Sequence, residues 1–128
     1  MTAVALVLAA LAGVLHVVIF WMESLAFSRP AVQQRFATRP QDVEAVRPWA
    51  YNQGFYNLFL GLGALTGVVL VAAGQRGAGF ALVLFGCGSM LLAAVVLVAS
   101  QRTMARAALT QGLLPALAVV ASVVAVTR

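Results

Sequence analysis

Charge is scarce in this chain: 9% of its 128 residues are charged, against roughly 25% in an ordinary soluble domain. A surface facing water on all sides needs more polar groups than that, so the composition excludes a soluble domain and points to an integral membrane protein. Lysine is absent, and the acidic residues are only Glu23, Asp42 and Glu44. The single Cys87 excludes an intrachain disulfide and, in apolar surroundings, is expected to be a buried, inert thiol. One histidine, one cysteine and one glutamate within the apolar stretches do not make a metal motif, so no metal is expected. A haem held through His16 alone has little to support it, and the cofactor question stays open. There is no Ser-His-Asp arrangement, phosphate loop or dinucleotide fingerprint; Gly61-x-Gly63 inside an apolar helix is not a nucleotide motif.

What the chain does have is apolar length. It is 63% hydrophobic, with a mean hydropathy of +1.02. Four stretches, about 3–27, 50–73, 78–99 and 107–126, each reach the roughly 20 residues that cross a hydrocarbon core. They predict an all-α integral membrane protein, a single domain over 1–128 built as an antiparallel four-transmembrane-helix bundle. The fourth stretch is interrupted by Gln111, Gly112 and Pro115, where the proline is expected to kink the helix or mark its start. The first lacks a preceding positive charge and a convincing cleavage site, so it is expected to be a permanent helix rather than a signal peptide.

The basic residues are distributed unevenly. Arg29, Arg35, Arg39 and Arg47 fall between the first two stretches, and Arg102 and Arg106 between the last two; Arg76 and Arg128 lie on the other side. Positive residues favour the cytoplasm, so loops one and three are expected there and both termini outside. The arginines act as topology signals and contacts to anionic lipid, and no nucleic-acid partner is expected. The cytoplasmic loop 28–49 holds three Arg-Pro pairs, whose arginines are biased toward extended backbone. Residues 31–36 and 42–46 can each form a short helical turn within it, and Trp49 and Tyr51 suit the membrane interface. Gly74-Gln75-Arg76-Gly77 predicts a tight connection between helices two and three. So small a bundle is expected to form a homo-oligomer, a dimer or a trimer.

The polar residues inside these stretches are the candidate site. Asn52, Gln53, Tyr56 and Asn57 place four hydrogen-bonding side chains within six residues, and each costs several kcal/mol in hydrocarbon unless paired. On the first helix His16, Phe20, Glu23 and Phe27 share a face at 100° per residue. His16 and Glu23 are about 10.5 Å apart in helix rise, two levels of one face rather than a bonded pair. With the first two helices antiparallel, Glu23 is expected level with Asn52, Gln53 and Tyr56, and His16 level with Gly61 and Gly63. The competing explanation is packing: small residues and amides are common helix-to-helix contacts in membranes, and Glu23 can pair with Arg29 or Arg47 at the interface.

Three stretches carry a family resemblance: His16-Val17-Val18-Ile19-Phe20 with Glu23, the run Asn52-Gln53-Gly54-Phe55-Tyr56-Asn57 with Phe59-Leu60, and Gln111-Gly112 before Pro115-Ala116. In these the chain resembles the small bacterial membrane family known as domain of unknown function 1304. The resemblance implies a four-helix protein of the bacterial cytoplasmic membrane and no particular chemistry. Phe27 stands where that pattern would have tryptophan. In size and plan the chain is also similar to the membrane glutathione-transferase and eicosanoid-synthase group, through Arg47 and Asn52, although Phe55 replaces the glutamate of that motif.

These residues support an intramembrane polar pocket that binds or transforms a small lipophilic molecule. His16, Glu23 and Tyr56 are the candidate catalytic groups, acting by acid/base chemistry; Asn52, Gln53, Asn57, Phe20 and Gly63 are the candidate ligand contacts. A small proton-coupled exporter using Glu23, and a structural membrane protein without a ligand, are the alternatives. Whether the chain is an enzyme is left open by its residues.

Overall fold

The computed structural model describes residues 1–128 and contains helices and turns without a strand. Helix α1 (Thr2–Phe20) continues directly into a π-helical turn, Trp21–Leu25. A short α2 (Pro30–Arg35) and a 3₁₀ turn (Pro40–Asp42) lead into α3 (Val43–Ala72). Helix α4 (Arg76–Ser100) follows, then a 3₁₀ turn (Arg102–Met104) and α5 (Ala105–Thr127). Four helical segments, Thr2–Leu25, Pro40–Ala72, Arg76–Ser100 and Arg102–Thr127, are long and apolar enough to cross a membrane.

Helix α1 packs against α3 and α5, and α4 packs against the same two, so the four long helices close a ring. Along the α1–α3 contact Gly13 meets Gly61, while Ser24 meets Gly54. The numbering therefore rises on one helix as it falls on the other.

Small residues let these helices approach. A Cβ on Gly61 would lie 2.8 Å from the Gly13 carbonyl oxygen, and one on Gly67 would lie 2.7 Å from that of Gly79. Ala9, Ala12, Ala64 and Ala118 fill the middle of the ring with Val83, Cys87 and Met90, while many large aliphatic side chains are exposed on its outside. Among apolar surroundings such packing relies on van der Waals contact between close backbones rather than on removing apolar area from water. Ser122 Oγ is buried in this interior without a hydrogen-bond partner.

One helix boundary differs from the sequence expectation. Helix α3 begins at Val43 instead of near 50 and runs straight through Pro48. A proline there removes one donor and leaves the Glu44 carbonyl without its i+4 partner, but Glu44 is exposed, so the loss falls where other partners are within reach. Pro115 lies well inside α5, which begins at Ala105, so of the two expectations for it the helix start is excluded.

Two helix ends use the same backbone lock. After α3, Gln75 N–H donates to Leu70 and Gly74 N–H to Val71; after α2, Thr38 N–H donates to Gln33 and Ala37 N–H to Gln34. This is the Schellman arrangement, which places one residue in the left-handed region. Gly74 adopts φ +88° without a Cβ penalty, whereas Ala37 adopts φ +52° with one. The segment after α1 is also tied down by side chains. Ala26, Phe27 and Val32 are buried together against Phe36, Val43 and Val46, and Gln33 Nε2 donates to the Phe27 carbonyl at 3.1 Å.

At the opposite end of the ring Arg76 joins three helices. Its guanidinium donates to the Ala125 carbonyl at 3.3 Å and to Thr2 Oγ1 at 3.4 Å, and stacks over Phe80. A cation beside the last carbonyls of α5 is favourably placed against the helix dipole.

Candidate functional site

The π-helical turn sets the position of the one carboxyl group in the first apolar stretch. In this turn the Ala26 N–H bonds the Trp21 carbonyl, five residues back, at 2.9 Å. The extra residue changes the helical phase, and single π turns often occur at functional positions. It aims Ser24 and Glu23 at α3. Ser24 Oγ donates to the Tyr51 carbonyl at 2.7 Å, and Asn57 Nδ2 donates to Glu23 Oε2 at 2.8 Å. The same amide group reaches its own helix at the Gln53 carbonyl, 3.3 Å away. Gly54 makes this approach possible, because a Cβ there would collide with Ser24 Oγ and lie 3.1 Å from both the Phe20 carbonyl and Glu23 Cβ.

Glu23 Oε1 has no protein partner, and no arginine lies within ion-pair distance of the carboxyl group. Arg47 is held loosely by Glu44 at 3.8 Å instead. Glu23, Ser24, Arg47 and Tyr51 line one side of a cavity of about 350 Å³, completed by Leu25, Phe27, Ser28 and Pro48. Beside it Phe55 meets Phe20 edge to face at 5.1 Å and packs between Tyr51 and Phe59 on its own helix.

The other residues singled out from the sequence are dispersed. His16 is 2% exposed; its Nδ1 bonds the Ala12 carbonyl at 2.9 Å, and its Cβ packs against Gly61. It belongs to the same α1 face as Phe20 and Glu23, but it does not line the Glu23 cavity. Gly63 lies off the α1 contact and has nothing near it. Asn52, Gln53 and Tyr56 are exposed on α3 and make no side-chain hydrogen bond, so the expected neighbours of Glu23 among them are replaced by Asn57. The reason is phase: Gly54, Asn57, Gly61 and Ala64 form the buried face of α3, and Asn52 and Tyr56 lie away from it. Phe27 leaves the α1 face altogether and packs against Phe36.

Of the eight lining residues only Glu23 is a sequence candidate; the polar ones that the sequence does not single out for ligand contact include Ser24, Arg47 and Tyr51. Ser24 adjoins Glu23, and Arg47 and Tyr51 flank the start of the second apolar stretch, where they look like interfacial residues. Their convergence requires α3 to begin early and the π turn to rotate Ser24. No three His, Cys, Asp or Glu side chains lie together.

The chain is a small helical protein whose four long helices, arranged in a ring and linked at one end by a carboxyl–amide contact, are each long and apolar enough to cross a membrane. Residues 10–123 match the model described as Protein of unknown function (DUF1304), and the chain belongs to that family. No curated protein and no solved structure matches it, and the similarity to the membrane glutathione-transferase group has no support.

Proposed function

We propose that this protein binds, and by acid/base chemistry transforms, a small lipophilic molecule in the cavity lined by Glu23, Ser24, Arg47 and Tyr51. The observation that carries this reading is the state of the Glu23 carboxyl group: one oxygen is held by Asn57, and the other has no protein partner beside an open cavity. Asn57 fixes the side chain, and Oε1 is left to accept a hydrogen bond or a proton from a ligand. Arg47 and Tyr51 add a basic and an aromatic residue to the lining, and Leu25 and Phe27 add apolar ones. A volume of about 350 Å³ falls in the usual range for small-molecule sites, roughly 300–1,000 Å³.

In this reading the four helices form an antiparallel bundle across the bacterial cytoplasmic membrane, with both termini outside and the Glu23 cavity facing the cytoplasmic leaflet. The six arginines in the loops on that side support the orientation. His16 takes a packing role. A second copy of the chain covers the α3 face bearing Asn52, Tyr56 and Gly63, where polar side chains without partners would otherwise meet lipid. Glu23 lies two residues from the end of its helical segment, which suits a site opened from one side better than the alternating access of an exporter.

Labelling with a hydrophobic carbodiimide tests the site. The expected result is one adduct, at Glu23, that decreases when an extract of lipophilic small molecules from the native membrane is added back. Absence of an adduct in folded protein would overturn the open-cavity reading, and an adduct that no extract reduces would overturn the ligand.

A further inference from the structure

A second cavity, of about 460 Å³, lies between the Ile19–Met22 side of α1, the end of α2 and the start of α5. Its chemistry differs from that of the Glu23 cavity. Arg35 and Arg106 both line it, no acidic residue does, and neither arginine takes part in an ion pair. Asp42 is engaged with Arg39 and the nearest partner of Glu44 is Arg47, so the acidic residues of the loop are committed elsewhere. The apolar part of the lining is made by Ile19, Met22, Phe36 and Met104, and Gln34, Gln111, Thr103 and Thr110 complete it with two alanines.

The wall is also held in place by a costly backbone. Ala37 lines the cavity and is the one non-glycine residue with positive φ, locked by the two hydrogen bonds that close α2. Strain of this kind persists only where the surroundings over-determine it, and here it sets the direction in which the chain leaves α2 after Phe36. On the other side Pro115 lacks the N–H that would pair with the carbonyl of Gln111, another lining residue.

We propose that this cavity binds a membrane amphiphile with an anionic headgroup. The two guanidiniums hold the head, with the planar donor geometry that suits phosphate or carboxylate oxygens, and the apolar wall takes the first part of the chain. The site lies at the arginine-rich end of the helices, the level at which lipid headgroups would meet a protein inserted as proposed above.

The test is native mass spectrometry of the full-length protein in a neutral detergent, titrated with phosphatidylglycerol or with phosphatidylcholine carrying the same chains. Two arginines near a headgroup, each worth about a factor of five, give an expected preference for phosphatidylglycerol of roughly 30-fold. Arg35→Gln/Arg106→Gln brings the two lipids to near parity, while Arg29→Gln/Arg102→Gln, which removes the same charge from the same end, keeps the preference. Arg35→Lys/Arg106→Lys retains part of it and serves as the reporter if the glutamine pair does not fold. Equal loss in both glutamine pairs would reduce the effect to bulk surface charge and overturn the site. So would no preference in the wild type. Stabilisation by inorganic phosphate alone equal to that by phosphatidylglycerol would overturn the amphiphile in favour of a free anion.

Discussion

Asn57 donates to Glu23 across the α1–α3 contact at 2.8 Å, and this bond is the only one between side chains of two long helices apart from the 3.4 Å contact of Arg76 with Thr2. It joins residues 34 positions apart at a point where glycine brings the backbones together. A double-mutant cycle of Glu23→Ala and Asn57→Ala should therefore give a coupling of about 1 kcal/mol, within the range of interhelical hydrogen bonds in membranes. Unfolding of the detergent-solubilised protein measures it. Additive single effects would mean that the bond contributes nothing.

Glycines on α3 should differ sharply in their tolerance. Gly54→Ala places a methyl group on Ser24 Oγ and beside the Phe20 carbonyl, and should cost about 1–3 kcal/mol through overpacking. Within one chain a Cβ at Gly63 meets no other atom, so Gly63→Ala should change the stability of the monomer by less than about 0.5 kcal/mol. Melting temperatures of the two variants in one detergent make the comparison.

Ala37 and Gly74 hold the same position in two copies of one capping arrangement. Ala37→Gly should stabilise the protein by about 1 kcal/mol by relieving the left-handed penalty, and Gly74→Ala should destabilise it by a similar amount. Thermal unfolding of both variants gives the signs, which should be opposite. If the strain at Ala37 serves the arginine-lined cavity, the gain in stability should come with weaker retention of phosphatidylglycerol.

The outward face of α3 should meet its counterpart in a second copy. With Cys87→Ala removing the buried thiol, Gly63→Cys is expected to give disulfide-linked dimers in native membranes, while Phe85→Cys, exposed on α4, is not. Non-reducing electrophoresis reads the result. Equal cross-linking at both positions would indicate random collision.

Much of this fold is legible in the residues because hydrocarbon-length apolar runs leave few alternatives. The four long helices lie over the four predicted stretches, and the turn at Gly74 falls where its glycine requires it. The start of α3 was not legible, since Pro48 reads as a boundary until the exposure of Glu44 makes the missing bond tolerable. Within the candidate site, the shared face of His16, Phe20 and Glu23 followed from helical periodicity alone, and all three do face α3. Depth along the two helices favours Asn52, Gln53 and Tyr56 as partners of Glu23. Phase was the better guide: Gly54 and Gly61 mark the contact face, and Asn57 lies on it with them. The π turn and the two cavities have no signature in the residues, because they depend on how the chain after α1 folds back against α3 and α5.

The central claim is that Glu23 serves a ligand rather than the packing of the bundle. Glu23→Gln tests it most directly, because glutamine keeps the size of the side chain and an oxygen for Asn57 while removing the carboxyl group. Native mass spectrometry of the wild type and this variant, each released from its own membrane in a mild detergent, gives the comparison. The wild type should carry a small lipophilic molecule of one defined mass, reduced at least tenfold on the variant, which keeps its helical content and its melting temperature. Identical spectra for the two folded proteins, with no bound mass that depends on Glu23, would contradict it.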